Sequence, residues 1–82
     1  MIYELTARYD SRKSFYGKAH VIEEDGQRKL LSYSTIVAWI DEDGAHVNGT
    51  YSATTLRHIR EFLKQNSFYA GSKSEIMQMY GC

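Results

Sequence analysis

The chain contains no proline, and its single cysteine, Cys82, is the last residue. One cysteine can neither close an intramolecular disulfide nor supply a multi-cysteine zinc site, which fits a reducing, cytosolic setting. No linker, repeat or low-complexity tract divides the 82 residues, so one domain is expected. No apolar run approaches the roughly 18 to 20 residues of a membrane span, and MIYELTARYD lacks the basic-then-apolar signature of a secretion signal. Without secretion, the glycosylation pattern Asn48-Gly49-Thr50 reads as turn and strand chemistry. An excess of charge of one sign is also missing. Ten Lys and Arg balance ten Asp and Glu, so the chain lacks the overall field of a general nucleic-acid binder. A domain this short buries only roughly 60 to 65% of the surface its unfolded form exposes, which leaves little room for a large enclosed active site.

What is present is a packable pattern, 43% apolar and 13% aromatic, enough for a folded core. From Ile2 to Tyr9, Tyr3, Leu5, Ala7 and Tyr9 alternate with Glu4, Thr6 and Arg8, the period of a half-buried strand. A loop over Asp10 to Ser14 then opposes Tyr9 to Phe15, Ala7 to Gly17, Leu5 to Ala19 and Tyr3 to Val21. Asp25-Gly26 suits the centre of a type I′ hairpin, which pairs Val21 with Leu30, Ala19 with Ser32 and Glu23 with Arg28. Asp43-Gly44 repeats the device and pairs Ile40 with Val47, Ala38 with Gly49 and Ile36 with Tyr51. Ser32 to Thr35 reads as a turn, the alternative being one long bent strand from Arg28 to Asp41.

Beyond the sheet, Ser52 is a good N-cap, with Tyr51 placed to staple onto Leu56. A helix over 53–65 gathers Leu56, Ile59, Phe62 and Leu63 on one side, and Asn66 is placed to end it in a left-handed conformation. Ser72 to Glu75 forms a capping box for a short helix over 73–80 bearing Ile76, Met77, Met79 and Tyr80. The expected fold is α+β: an antiparallel meander of four to five strands within 2–51, the main helix on one face, and a short C-terminal helix.

Catalytic signals are sparse. His20, His46 and His58 lack metal-ligand spacing, the glycines form no phosphate-cradling loop, and nothing beside Cys82 activates a thiolate. Asp41 and His46 should face each other across the second hairpin as a cross-strand polar pair. His20, His46 and His58 read as surface residues. Neither acidic turn has the alternating oxygen ligands of a calcium loop. No enzyme, metal or cofactor is expected.

Three surfaces are candidates for binding. Arg57, Arg60 and Lys64 share one helix flank, with Glu61 on the adjoining strip, a possible weak and salt-sensitive contact for phosphate. Arg8, Arg12, Lys13 and Lys18 form a second basic group, interleaved with Tyr9, Phe15 and Tyr16 in the manner of single-stranded nucleic-acid sites, although Tyr9 and Phe15 suit the core better. Glu23, Glu24 and Asp25 at one turn and Asp41, Glu42 and Asp43 at the other should share one end of a meander, offering an acidic end to a cationic partner. Finally, if the helix covers Ile36, Ala38 and Ile40, alternation sends Val37 and Trp39 to the opposite face with Leu31 and Tyr33. Edged by Lys18, Lys29, Asp41 and His46, that patch suits a protein partner or a homodimer, unless the terminal helix folds over it.

SYSTIVAWID followed by YSATTLRHIREFLKQN resembles a family of small uncharacterised proteins encoded by bacteriophages, plasmids and Gram-positive bacteria. The residues that carry it are Ser32, Tyr33, Thr35, Val37, Ala38, Tyr51, Ser52, Thr54, Thr55, His58, Ile59, Phe62 and Leu63. The match runs from near Phe15 to Asn66 and leaves Phe68 to Cys82 outside it. The resemblance implies a setting rather than a mechanism: a phage or mobile-element accessory protein in the bacterial cytoplasm. Two functional expectations follow. One is a non-enzymatic protein-binding module, such as an inhibitor of a host defence nuclease of the anti-CRISPR kind. The other is a weak nucleic-acid-binding regulator using the basic helix flank.

Overall fold

The Asp25-Gly26 turn sets the register of the sheet. Asp25 and Gly26 take φ of 51° and 77°, the paired positive angles of a type I′ turn. Strands β2 (Ala19–Glu24) and β3 (Gln27–Ser32) pair accordingly, Val21 with Leu30, Ala19 with Ser32 and Glu23 with Arg28, as the sequence predicts. The computed structural model describes residues 1–10, 15, 17–48 and 52–81. Expectations for Arg12, Lys13, Tyr16, Gly49, Tyr51 and Cys82 lie outside these residues.

Ser32 to Thr35 forms a turn rather than a bend. Ser32 pairs with Thr35, Tyr33 takes a φ of 58°, and the Tyr33 N–H donates to the Lys18 carbonyl at 2.7 Å. The returning strand β4 (Thr35–Asp41) carries a bulge: Leu31 faces Ile36 but Leu30 faces Ala38, so Val37 is inserted between them. An inserted residue breaks strict alternation. Val37 therefore turns into the core at 1% exposure beside Ala38, and the expectation that it shares the face of Trp39 is corrected.

The second hairpin is also corrected. Strand β5 (Gly44–Val47) pairs Asp41 with Gly44, Ile40 with Ala45, Trp39 with His46 and Ala38 with Val47, two residues away from the predicted register. The turn centre is Glu42-Asp43, because Asp41 Oδ1 accepts the Asp43 N–H at 2.9 Å while Gly44 takes the positive φ, 117°. Asp at the first and Gly at the fourth position suit a type I turn. A slip of two keeps every side chain on its face.

Strand β1 (Ile2–Glu4) completes a five-stranded antiparallel meander in the order β1-β2-β3-β4-β5. Tyr3 faces Val21 as expected, and the Leu5 N–H donates to the Ala19 carbonyl at 2.9 Å, but the ladder ends there. The predicted pairings of Ala7 with Gly17 and Tyr9 with Phe15 do not form. The chain instead leaves the sheet to run beside the main helix.

Helix α1 (Ala53–Gln65) is capped by Ser52, whose hydroxyl accepts the Thr55 N–H. It lies over β3 and drives Ile59, Phe62 and Leu63 into a core with Leu5, Val21, Leu30 and Val47, while Leu56 is only half-buried. The left-handed residue at its end is Ser67, φ 67°, not Asn66. Asn66 uses its side-chain amide to donate to the Phe62 carbonyl. Helix α2 (Lys73–Tyr80) has the expected Ser72–Glu75 capping box. It packs beside β5, with Gly81 bridging Val47, and its Ile76 enters the same core. Both helices thus serve one face of the sheet. None of the described helices is long and apolar enough to cross a membrane.

Candidate functional site: the outer face of the sheet

The strand register places Ile2, Ile22, Lys29, Trp39 and His46 in one row across the face opposite the helices. Glu4, His20, Leu31 and Ile36 form the neighbouring row. Ile22, Leu31, Ile36 and Trp39 are half-buried, and Ile2 is exposed. An antiparallel sheet can keep one face to water, but such a face usually alternates to polar residues. Here the middle strand contributes Leu31 and Lys29, so Lys29 sits between Ile22 and Trp39 inside the patch and not at its edge as expected, while Ile22, Ile36 and Trp39 flank it. Ile36 joins the patch because the bulge reverses the parity that should have sent it inward.

Trp39 does not stand alone. The His46 ring stacks on it, with centroids 5.3 Å apart and planes 20° from parallel, and His46 Nε2 lies 3.1 Å from Asp41 Oδ1. The predicted Asp41–His46 contact therefore forms, but diagonally, while Trp39 takes the position directly opposite His46. Partial desolvation pushes the Asp41 carboxyl up. The His46 hydrogen bond and the Asp43 N–H outweigh it and hold the group below its ordinary range.

Tyr33 is displaced from this face. Its left-handed turn conformation carries the ring to the helix layer, 6.0 Å from the His58 ring and under Lys18 Nζ. Leu31 and Trp39 stay on the outer face, so two of the four predicted patch residues are brought together there.

The acidic turns meet at one end, as predicted. Asp25, Asp41, Glu42 and Asp43 line a single depression of about 260 Å³ with Gly26 and Gln27. Glu23 pairs with Arg28 at 2.8 Å and Glu24 with Lys29 at 3.0 Å, which neutralises the inner part of the cluster. Among the described residues, Asp25, Glu42 and Asp43 make no ion pair and are exposed.

On the helix layer the basic flank is largely engaged. Arg57 Nε donates to Asp10 Oδ2 at 3.2 Å, Arg60 Nε donates to the Gly71 carbonyl at 2.9 Å, and Lys64 is exposed. Glu61, read from the sequence as a strip residue, is 2% exposed. Its carboxylate accepts the N–H groups of Tyr9 and Asp10 and the Gln65 amide. His58 is likewise buried, not superficial. Its Nδ1 lies 2.8 Å from Ser32 Oγ, which also meets Thr55 Oγ1 at 3.2 Å. A serine beside an imidazole has the form of a nucleophile and base. Both are buried, so this pair ties α1 to the β3–β4 turn rather than facing a substrate. Burial pushes the His58 imidazole below its ordinary pKa, against the charge of Asp10 and together with that of Lys18. Among the described residues, no three His, Cys, Asp or Glu side chains gather to hold a metal.

A model of a family of unknown function, DUF8033, matches residues 3–78. The chain belongs to this family. The match reaches beyond the segment from Phe15 to Asn66 and takes in most of β1 and most of α2, so it touches every element described above. No curated protein and no solved structure matches the chain.

Proposed function

We propose that this chain is a non-enzymatic protein-binding module whose outer sheet face docks a cationic protein partner. The observation that carries the reading is the join between the largely apolar face that bears Trp39 and two acidic turns around one depression at its end. An aliphatic and aromatic surface with a charged rim is the composition of an interface whose periphery steers the approach. Exposed Asp25, Glu42 and Asp43 select a partner of positive charge.

Proteins that hold nucleic acid present such surfaces. That chemistry supports the finer reading of a phage or mobile-element accessory protein acting in the bacterial cytoplasm against a host defence nuclease, in the manner of an anti-CRISPR. The test is retention of proteins from a host lysate by wild type, by Trp39→Ala and by a double Asp25→Lys, Asp43→Lys variant. One basic protein held by wild type and lost by both variants supports the proposal. Retention indifferent to both overturns it. A dimer that Trp39→Ala dissolves, with no partner retained, would assign the face to a second copy instead.

A further inference from the structure

The structure joins two features that lie far apart in the chain: Tyr9, 59% exposed, and the flank of α1 that carries Arg60 and Lys64. Together with Arg57, Asp10 and Glu61 they line one depression of about 220 Å³ on the helix layer, away from the outer sheet face. We infer that this depression is a site for single-stranded nucleic acid, with a base stacked on Tyr9 and neighbouring phosphates on Arg60 and Lys64.

The two acids in the depression offset two of its three cations, Arg57, Arg60 and Lys64, and leave a net positive charge. Asp10 is tucked in at 11% side-chain exposure against Arg57, and the Glu61 carboxylate is turned toward three N–H donors. What faces outward is cationic. Arg60 gives only its Nε to the Gly71 carbonyl, and among the described residues Lys64 has no partner. Arg60 and Lys64 stand one helical turn apart, which puts their Cβ atoms about 5 to 6 Å from each other on one strip.

The aromatic platform is also preorganised. Glu61 fixes the backbone of Tyr9 at 2.8 Å and of Asp10 at 3.1 Å, and the Gln65 amide donates to the Thr6 carbonyl. A ring on a pinned backbone is presented at a lower ordering cost at binding, with only its own rotamer left to fix. Stacking of this kind tolerates any base, and a duplex, whose bases are already stacked, cannot use it. This selects single strands over duplex and over a plain anion. The inference is independent of the protein-docking face.

The experiment is fluorescence anisotropy of a short labelled oligothymidylate with the full chain. At about 50 mM salt the wild type should bind. Two phosphate contacts give a salt slope of about −1.4, so affinity should fall about sevenfold by about 200 mM. Tyr9→Ala should weaken binding by about 5- to 100-fold at unchanged salt slope. Arg60→Gln with Lys64→Gln should flatten the slope, and Lys64→Gln alone, on an exposed side chain, should reduce it about halfway without risk to the fold. A duplex of equal length should bind more weakly than the single strand. Absence of binding at about 50 mM salt overturns the inference. So does equal binding of single strand and duplex with indifference to Tyr9→Ala, which would leave a mere cationic surface. Displacement of the oligonucleotide by polyglutamate at equal charge concentration would also overturn it in favour of an acidic protein ligand.

Discussion

The carboxylate of Glu61 accepts the backbone N–H of Tyr9 at 2.8 Å across 52 residues of chain and ties the segment after β1 to α1. The segment after Leu5 follows the helix because Glu61 and Gln65 offer partners that further rungs of the sheet would have to replace. Backbone donors that leave a sheet for a partly buried position need another acceptor, and here a helix side chain supplies it.

Removing that carboxylate should therefore cost more than an ordinary surface change. Glu61→Ala leaves the Tyr9 and Asp10 donors without their acceptor and is expected to destabilise the fold by about 2 to 4 kcal/mol. Glu61→Gln keeps one oxygen and should cost about half as much. Urea unfolding of the two variants checks this order.

The bulge makes a sharper claim. Val37→Ala opens the core beside Ala38 and Val47 and should cost about 1 to 3 kcal/mol, whereas Trp39→Ala, on the outer face, should cost less despite the larger truncation. Ile59→Ala should cost about 2 to 5 kcal/mol. Equilibrium unfolding of the three variants decides between this arrangement and plain alternation, under which Val37 would be the tolerant site.

Alternation was where the sequence was least informative. The β2–β3 register could be read from Asp25-Gly26 because a type I′ turn leaves no freedom between its flanking strands. Asp43-Gly44 looks identical as a dipeptide, yet Asp41 supplies an acceptor for Asp43, so the same two residues become the third and fourth of a type I turn. Val37 carries no local sign that it will be an extra residue. The helix was legible from its apolar period and Ser52, but Glu61 and His58 were not, since their partners Tyr9 and Ser32 are distant in the chain. Trp39 and Leu31 could be placed on the outer face because neither depends on the bulge.

Acid should loosen the joint between α1 and the β3–β4 turn. His58 has a folded pKa below its ordinary value of about 6.5, so the unfolded chain binds the proton more readily between those two values. Stability is then full above about pH 6.5, falls as the pH drops through that value, and levels off below the lowered folded pKa. Asp10 and Lys18 are the charges that act on the ring. Asp41, held below the ordinary carboxylate range, contributes only in a more acid window. Urea midpoints at about pH 7.5 and about pH 5 should differ for wild type, and the difference should shrink in His58→Gln, which keeps a side chain able to reach Ser32.

The chain holds one tryptophan, Trp39, on the outer face. Labelled with 5-fluorotryptophan, the protein gives a single fluorine resonance that a partner's own tryptophans do not obscure. Addition of the basic protein retained from a lysate should shift or broaden that resonance, and the Asp25→Lys, Asp43→Lys variant should need more of it for the same change. A complex that forms while the Trp39 resonance stays where it is in the free protein would place docking elsewhere and overturn the assignment of the outer sheet face.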